Sequence, residues 1–203
     1  MSYPVRFVFA AMVLCGAVAA AQARAEDAAA DPLRPLTACS FGNGLQARST
    51  DRWPAHMQAR IVQTSGGPKQ VSIADGYRMM LAFPDTAPFV NLKVERSQPG
   101  KLAADRTAIL AQMTSFAAPP GATVAPFKVI ERHGVEIMAL NDPTLNGGGV
   151  ISIYTLISEK NNVIATAYLL NQKPAERKFQ TYEQYQAMRD DFIYALALCM
   201  AEL

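Results

Sequence analysis

Apolar and polar residues alternate with a period of two along much of this chain, and two stretches switch to a helical period. Tyr77, Met79, Leu81 and Phe83 alternate with Arg78, Met80 and Ala82, which predicts a half-buried strand ending at Pro84. Val90, Leu92 and Val94 alternate with Asn91, Lys93 and Glu95, so the next strand has one face in the core and one in water. Upstream, a strand lies between Trp53 and Thr64, with Met57, Ala59 and Ile61 on one face. Ser65-Gly66-Gly67-Pro68 is a turn, and Gln70 to Ala74 returns antiparallel. Pro99-Gly100 opens a helix over Lys101 to Ala117, where Leu102, Ile109, Leu110, Met113 and Phe116 form a stripe. Lys101, Asp105, Arg106 and Gln112 are its polar positions.

The second half repeats the strand grammar. Phe127 to Glu131 and Val135 to Leu140 flank Arg132-His133-Gly134, a tight hairpin loop with a glycine placed for positive φ. A longer connection over Asn141 to Gly149 leads to strands Val150 to Ser158 and Val163 to Leu170. Ile151, Ile153 and Ile157 are assigned to one face and Val150, Tyr154 and Leu156 to the other, so this pair sits centrally with something packed on each side. A helix from Thr181 to Met200 closes the chain. Thr181 and Gln184 have capping-box spacing, and Tyr185, Phe192, Leu196 and Cys199 share a face. Hairpins dominate and parallel crossovers are missing, which defines an α+β class: an antiparallel sheet with helices packed on it.

This order resembles the PsbP-like superfamily, which includes photosystem extrinsic subunits and exported bacterial proteins of unassigned role. The resemblance rests on the Asp75-Gly76-Tyr77 opening, the Phe83-Pro84 strand end, the helix after Gln98-Pro99-Gly100, the hairpins from Phe127 to Leu170 and the closing helix. It covers roughly residues 70 to 200. It implies an α/β/α sandwich-like arrangement and a non-catalytic binding role. It transfers no functional residue, and the N-terminal hairpin and the cysteine pair stand outside it.

The first 25 residues read as a cleavable export signal. Arg6 supplies the positive start, Phe7 to Ala21 the apolar run, and Ala21-Gln22-Ala23-Arg24-Ala25 the small-residue cleavage sites. The expected organisation is therefore a signal peptide over 1–25, a flexible Ala/Asp/Pro spacer over 26–38 and one α+β domain over 39–203. The mature chain has no transmembrane segment and is periplasmic or secreted. Removing the leader leaves 17 basic and 17 acidic residues. A neutral, mixed surface gives no footprint for nucleic acid.

Cys15 lies inside the leader, so the mature chain keeps Cys39 and Cys199. An even count in an oxidising compartment is the signature of a disulfide. A loop that long contributes at most about 5 kcal/mol in the chain-entropy picture.

The sequence contains no nucleophile elbow, metalloprotease helix, P-loop, dinucleotide fingerprint or CxxC pair, so no catalytic residue, cofactor or metal ligand is assigned. His133 is a turn residue and His56 follows Trp53-Pro54. Met57, Met79, Met80, Met113, Met138, Met188 and Met200 are core fillers rather than a copper set, since no clustered spacing occurs. Gly147-Gly148-Gly149 precedes no helix that would bind phosphate. Glu183, Asp190 and Asp191 form a solvated face. The leading expectation is a periplasmic binding or interaction module whose partner is another envelope protein or a small ligand. The alternatives are a hydrolase assembled from His56, His133, Asp142 and Glu136, and a metal-handling protein.

Overall fold

Among the described residues the alternating segments form nine strands: β1 (Gln46–Arg52), β2 (Ala59–Thr64), β3 (Gly67–Ser72), β4 (Asp75–Ala82), β5 (Val90–Arg96), β6 (Lys128–Arg132), β7 (Val135–Asn141), β8 (Gly149–Ser158) and β9 (Val163–Asn171). The helices are α1 (Arg34–Thr37), α2 (Leu102–Ala117) and α3 (Tyr182–Ala201), with a 3-10 turn at Pro174–Glu176. This computed structural model describes residues 31–52, 58–117, 128–141 and 149–203. The proposed export signal, Trp53, His56, Met57, Asp142 and the Gly147-Gly148 pair lie outside the described residues, as do the side chains of Phe116 and Ala117.

Seven strands make one sheet in the order β1-β4-β5-β9-β8-β7-β6, and β2 pairs with β3 in a separate hairpin. Every pairing is antiparallel. The fold is therefore α+β, as the hairpin grammar implies. β9 and β8 do sit inside the sheet. The β6–β7 loop is a two-residue turn in which both His133 and Gly134 have positive φ, 55° and 73°. That pair of left-handed residues matches the twist of the flanking strands.

Each sheet face has its own core. On one side Met79, Leu81, Leu92, Val94, Ala167 and Leu169 pack with Tyr185, Phe192 and Leu196 of α3. On the other, Met138, Ile157 and Ile164 meet Ala108, Ile109 and Met113 of α2 together with Val62 and Val71 of the β2–β3 hairpin. The capping box at the start of α3 forms as read: Thr181 accepts from the Gln184 backbone, and the Gln184 side chain accepts from the Thr181 backbone.

Four details depart from the sequence reading, each for a packing reason. Leu33 and Leu36 are fully buried, so the compact unit begins at Leu33 rather than at Cys39; two leucines on a short helical turn have a core to join. In β2 the core residue is Val62, while Ile61 is 60% exposed. Ile151 is an extra residue where the β8–β9 register shifts between Val150 and Ser152. It consequently joins Tyr154 and Leu156 on the α3 side, while Ile157 goes to the α2 side and Val150 is exposed.

The fourth departure is the expected wet face of β5. Glu95 is buried because the β2–β3 hairpin covers it, and Arg60 donates to both its oxygens at 2.7 and 2.8 Å. Asp105, read as a polar helix position, is also buried. It accepts from the Ser72 backbone at 2.8 Å and from the Ser72 hydroxyl. This carboxylate ties α2 to the end of β3, so Asp105→Ala should cost about 2–3 kcal/mol by leaving a buried N–H without its acceptor. Urea unfolding of the variant measures it; a loss below about 0.5 kcal/mol contradicts the role.

Candidate functional site

Three strands and a turn of α3 line a recess at the β6 end of the sheet. Ile130 and Arg132 of β6, Ile137 and Ala139 of β7, and Tyr154 of β8 form its floor. Arg189, Asp190, Ile193 and Tyr194 of α3 form its roof. The helical step explains the roof: residues three and four apart share a face, which brings Arg189 and Asp190 over the same opening as Ile193 and Tyr194. The enclosed volume is about 330 Å³, within the range that small ligands fill and near its lower end.

The chemistry of the recess is mixed. Its walls are largely aliphatic, yet Arg189 is only 9% exposed. Asp190 Oδ1 accepts a hydrogen bond from its Nε at 2.7 Å, and the same oxygen lies 2.7 Å from Nη2 as an ion pair. The guanidinium also lies over the Tyr185 ring, 5.9 Å from its centroid. Burial works against the Arg189 charge, but the neighbouring Tyr154 phenol and the Asp190 bond outweigh it, and the net shift is upward. Tyr185 is itself fixed, since its hydroxyl shares a hydrogen bond with Ser152. Burial pushes that phenol far above its ordinary range. Such a group stays neutral and serves as a packing and hydrogen-bonding element.

His133 borders this recess without lining it: its ring meets Tyr194 edge-on, with centroids 5.2 Å apart. Glu136, grouped with it in the hydrolase reading, points to the opposite sheet face, where it accepts from Arg106 Nε at 2.7 Å and from Nη2. The structure therefore does not bring these two together, and their proposed companions His56 and Asp142 lie outside the described residues. Among the described residues no three His, Cys, Asp or Glu side chains converge to hold a metal ion. Met79, Met113, Met138 and Met200 are buried in the cores. Of the acids assigned to a solvated face, Asp191 accepts from Asn43 and Asp190 holds Arg189, so that face is partly structural.

The Arg106–Glu136 pair lies in a wider, open groove of about 1080 Å³ between α2 and the β6–β7 end. The Arg106 bond holds the Glu136 carboxyl below the usual carboxylate range. A depressed carboxyl contributes stability above the unfolded-state value, near 4.3, and loses it as pH falls through the folded value. Both side chains are partly exposed, at 35% and 25%, which screens the pair to about 0.5–1 kcal/mol. Arg106→Met should therefore lower the thermal midpoint slightly at pH 7, with the difference shrinking in melts taken below the unfolded carboxyl value and lost once the lowered Glu136 carboxyl is itself protonated. A difference that persists unchanged in acid contradicts this assignment.

A second polar cluster occupies the α2-side face of the central strands. Lys93 Nζ stands 5.5 Å from the Tyr168 ring centroid. Burial and the neighbouring Arg60 lower the Lys93 pKa, and burial raises that of Tyr168. Thr166 Oγ1 and Asn91 Oδ1 are buried there with no hydrogen-bond partner among the described residues.

Cys39 and Cys199 form a disulfide-compatible pair, with Cα atoms 6.2 Å apart, inside the range that a bridge spans. No helix among the described residues is long and apolar enough to cross a membrane. Comparison with known protein families, curated proteins and solved structures finds no match to this chain. The recess rests on residue types that sequence reading had assigned elsewhere. Arg189 went unremarked, and Tyr154 was read as a core residue alone. The available signal was an arginine on the apolar side of the closing helix, four residues after Tyr185 and three before Phe192.

Proposed function

We propose that this chain is an exported, periplasmic, non-catalytic binding module that holds a small ligand in the recess between α3 and strands β6 to β8. The observation that carries the reading is Arg189: a charge nine-tenths buried in a cavity of about 330 Å³ whose other lining includes three isoleucines and Ala139. Burying a guanidinium costs free energy unless acceptors surround it, and its one carboxylate neighbour, Asp190, is 65% exposed. The export proposal is supported by the leader-like first 25 residues and by the cysteine pair, since disulfides persist in oxidising compartments. A PsbP-like arrangement is proposed with it, on the order of strands, helix, hairpins and closing helix.

The test is to isolate the protein from the envelope of cells expressing it with its leader and to record its mass under native and denaturing conditions. A ligand appears as extra mass in the native spectrum alone. Ala139→Phe, which fills the recess from β7, should abolish it while the melting transition remains cooperative. An adduct that survives this substitution places the ligand elsewhere; a native mass equal to the bare chain, with an added envelope extract also failing to shift it, contradicts small-ligand binding.

A further inference from the structure

The polar groups of the recess also define what it would hold. Resting on the binding reading above, we infer that its ligand is a compact apolar acid, with the carboxylate on Arg189 and the apolar body against Ile130, Ile137 and Ile193. Three observations lead there.

The first is charge. Two guanidiniums, Arg132 and Arg189, line the cavity against one carboxylate, Asp190. The wall is therefore net positive and suits a single anionic group. A cation would meet two like charges, and a multiply charged anion would face Asp190 across the same opening.

The second is the state of Arg189. Asp190 accepts one hydrogen bond from it, through Oδ1 from Nε at 2.7 Å, and the same oxygen lies 2.7 Å from Nη2, whereas a guanidinium carries five N–H donors. The planar fork matches a carboxylate, which accepts two parallel bonds from it. The Asp190 carboxylate is mostly in water, and an exposed pair of that kind adds little stability. It leaves room for a second, drier carboxylate. The fork is also held in place, because the Tyr185 ring beneath it is anchored by Ser152. A preorganised donor loses less freedom on binding.

The third is the remainder of the lining. Three isoleucines and Ala139 present aliphatic surface, and the Tyr194 ring stands at the opening, held edge-on by His133. Their burial favours an alkyl or aromatic body, and the volume limits it to a small one.

The experiment titrates benzoate and hexanoate, and in parallel benzamide and hexanamide, into the mature protein by calorimetry and thermal shift. The acids should bind and raise the melting midpoint, and their amides should bind about ten- to a hundredfold more weakly, the range set by one charge-assisted pair. Arg189→Met should reduce the acids to the level of the amides. Arg189→Lys, which keeps the charge without the fork, should retain part of the difference. It also serves as the informative variant if the methionine form fails to melt cooperatively. Amides that bind as tightly as acids overturn the acid assignment and leave the recess as a binding site. Acids that show no binding at millimolar concentration also overturn it, whereas the native-mass experiment decides separately whether the recess is occupied at all. Equal acid affinity in wild type and both Arg189 variants overturns the assignment of the carboxylate to this residue.

Discussion

Replacing Cys39 and Cys199 with serine is expected to lower stability by about 3–5 kcal/mol. A bridge between them would close a loop of 160 residues, and the chain-entropy term for such a loop is about 5 kcal/mol, less whatever strain or residual structure subtracts. For a unit of this size the midpoint should fall by roughly 10–20 °C. The fold itself should survive, because Cys39 and Cys199 sit at the margin of a core already completed by Leu33, Leu36, Phe41, Phe192 and Leu196. Reductant should reproduce the loss in the native protein and leave the double-serine variant unchanged. Two free thiols in protein taken from the envelope would show that the pair is merely close, and the destabilisation should then be that of two small buried groups.

Arg60→Met is expected to be nearly as severe, at about 3–5 kcal/mol, because it leaves the Glu95 carboxylate without its partner inside the protein. The Glu95 side chain is 3% exposed and that of Arg60 17%, so the acid has less access to water than the base. Removing the acid instead, as in Glu95→Leu, should cost less, since Arg60 can turn outward along its aliphatic stem. The double variant Arg60→Met/Glu95→Leu should recover most of the loss, as apolar replacements of buried ion pairs are often neutral or better. Urea denaturation of the two single variants and the double closes the cycle. If the double variant is as unstable as the sum of both singles, the pair is not the unit that matters here.

The elements were legible in the sequence wherever one physical signal acted alone. The alternation in Tyr77 to Phe83, the capping-box spacing of Thr181 and Gln184, and the glycine after His133 each fix a local conformation, and each appears as read. What local pattern could not supply was the covering of a face by a distant element. Glu95 and Asp105 look solvent-facing by alternation and by helical spacing, and both are buried because the β2–β3 hairpin lies over them. Val62 and Ile61 exchange expected positions for the same reason, since either phase of a short β2 is compatible with its residues. The bulge at Ile151 is a single inserted residue in a mostly apolar strand whose polar members, Ser152 and Thr155 among them, are themselves buried, so no solvent-facing polar position marks the register.

The recess was illegible for a related reason. Its lining comes from the consecutive strands β6, β7 and β8 and from the distant α3, and no one of them carries a spacing that signals a ligand. Arg189 in isolation is an ordinary helix residue. It becomes informative only once Tyr154 and Tyr185 are seen beside it and Asp190 is seen to be its carboxylate partner.

The most direct measurement of the binding claim is an amide chemical-shift map of the mature protein titrated with benzoate. The account predicts shifts concentrated at Ile130, Ile137, Tyr154, Arg189 and Ile193, saturating together with one dissociation constant and disappearing in Ala139→Phe. Shifts confined to the open groove at Arg106 and Glu136 or to the Lys93–Tyr168 cluster, or no saturable shifts at all, would contradict it.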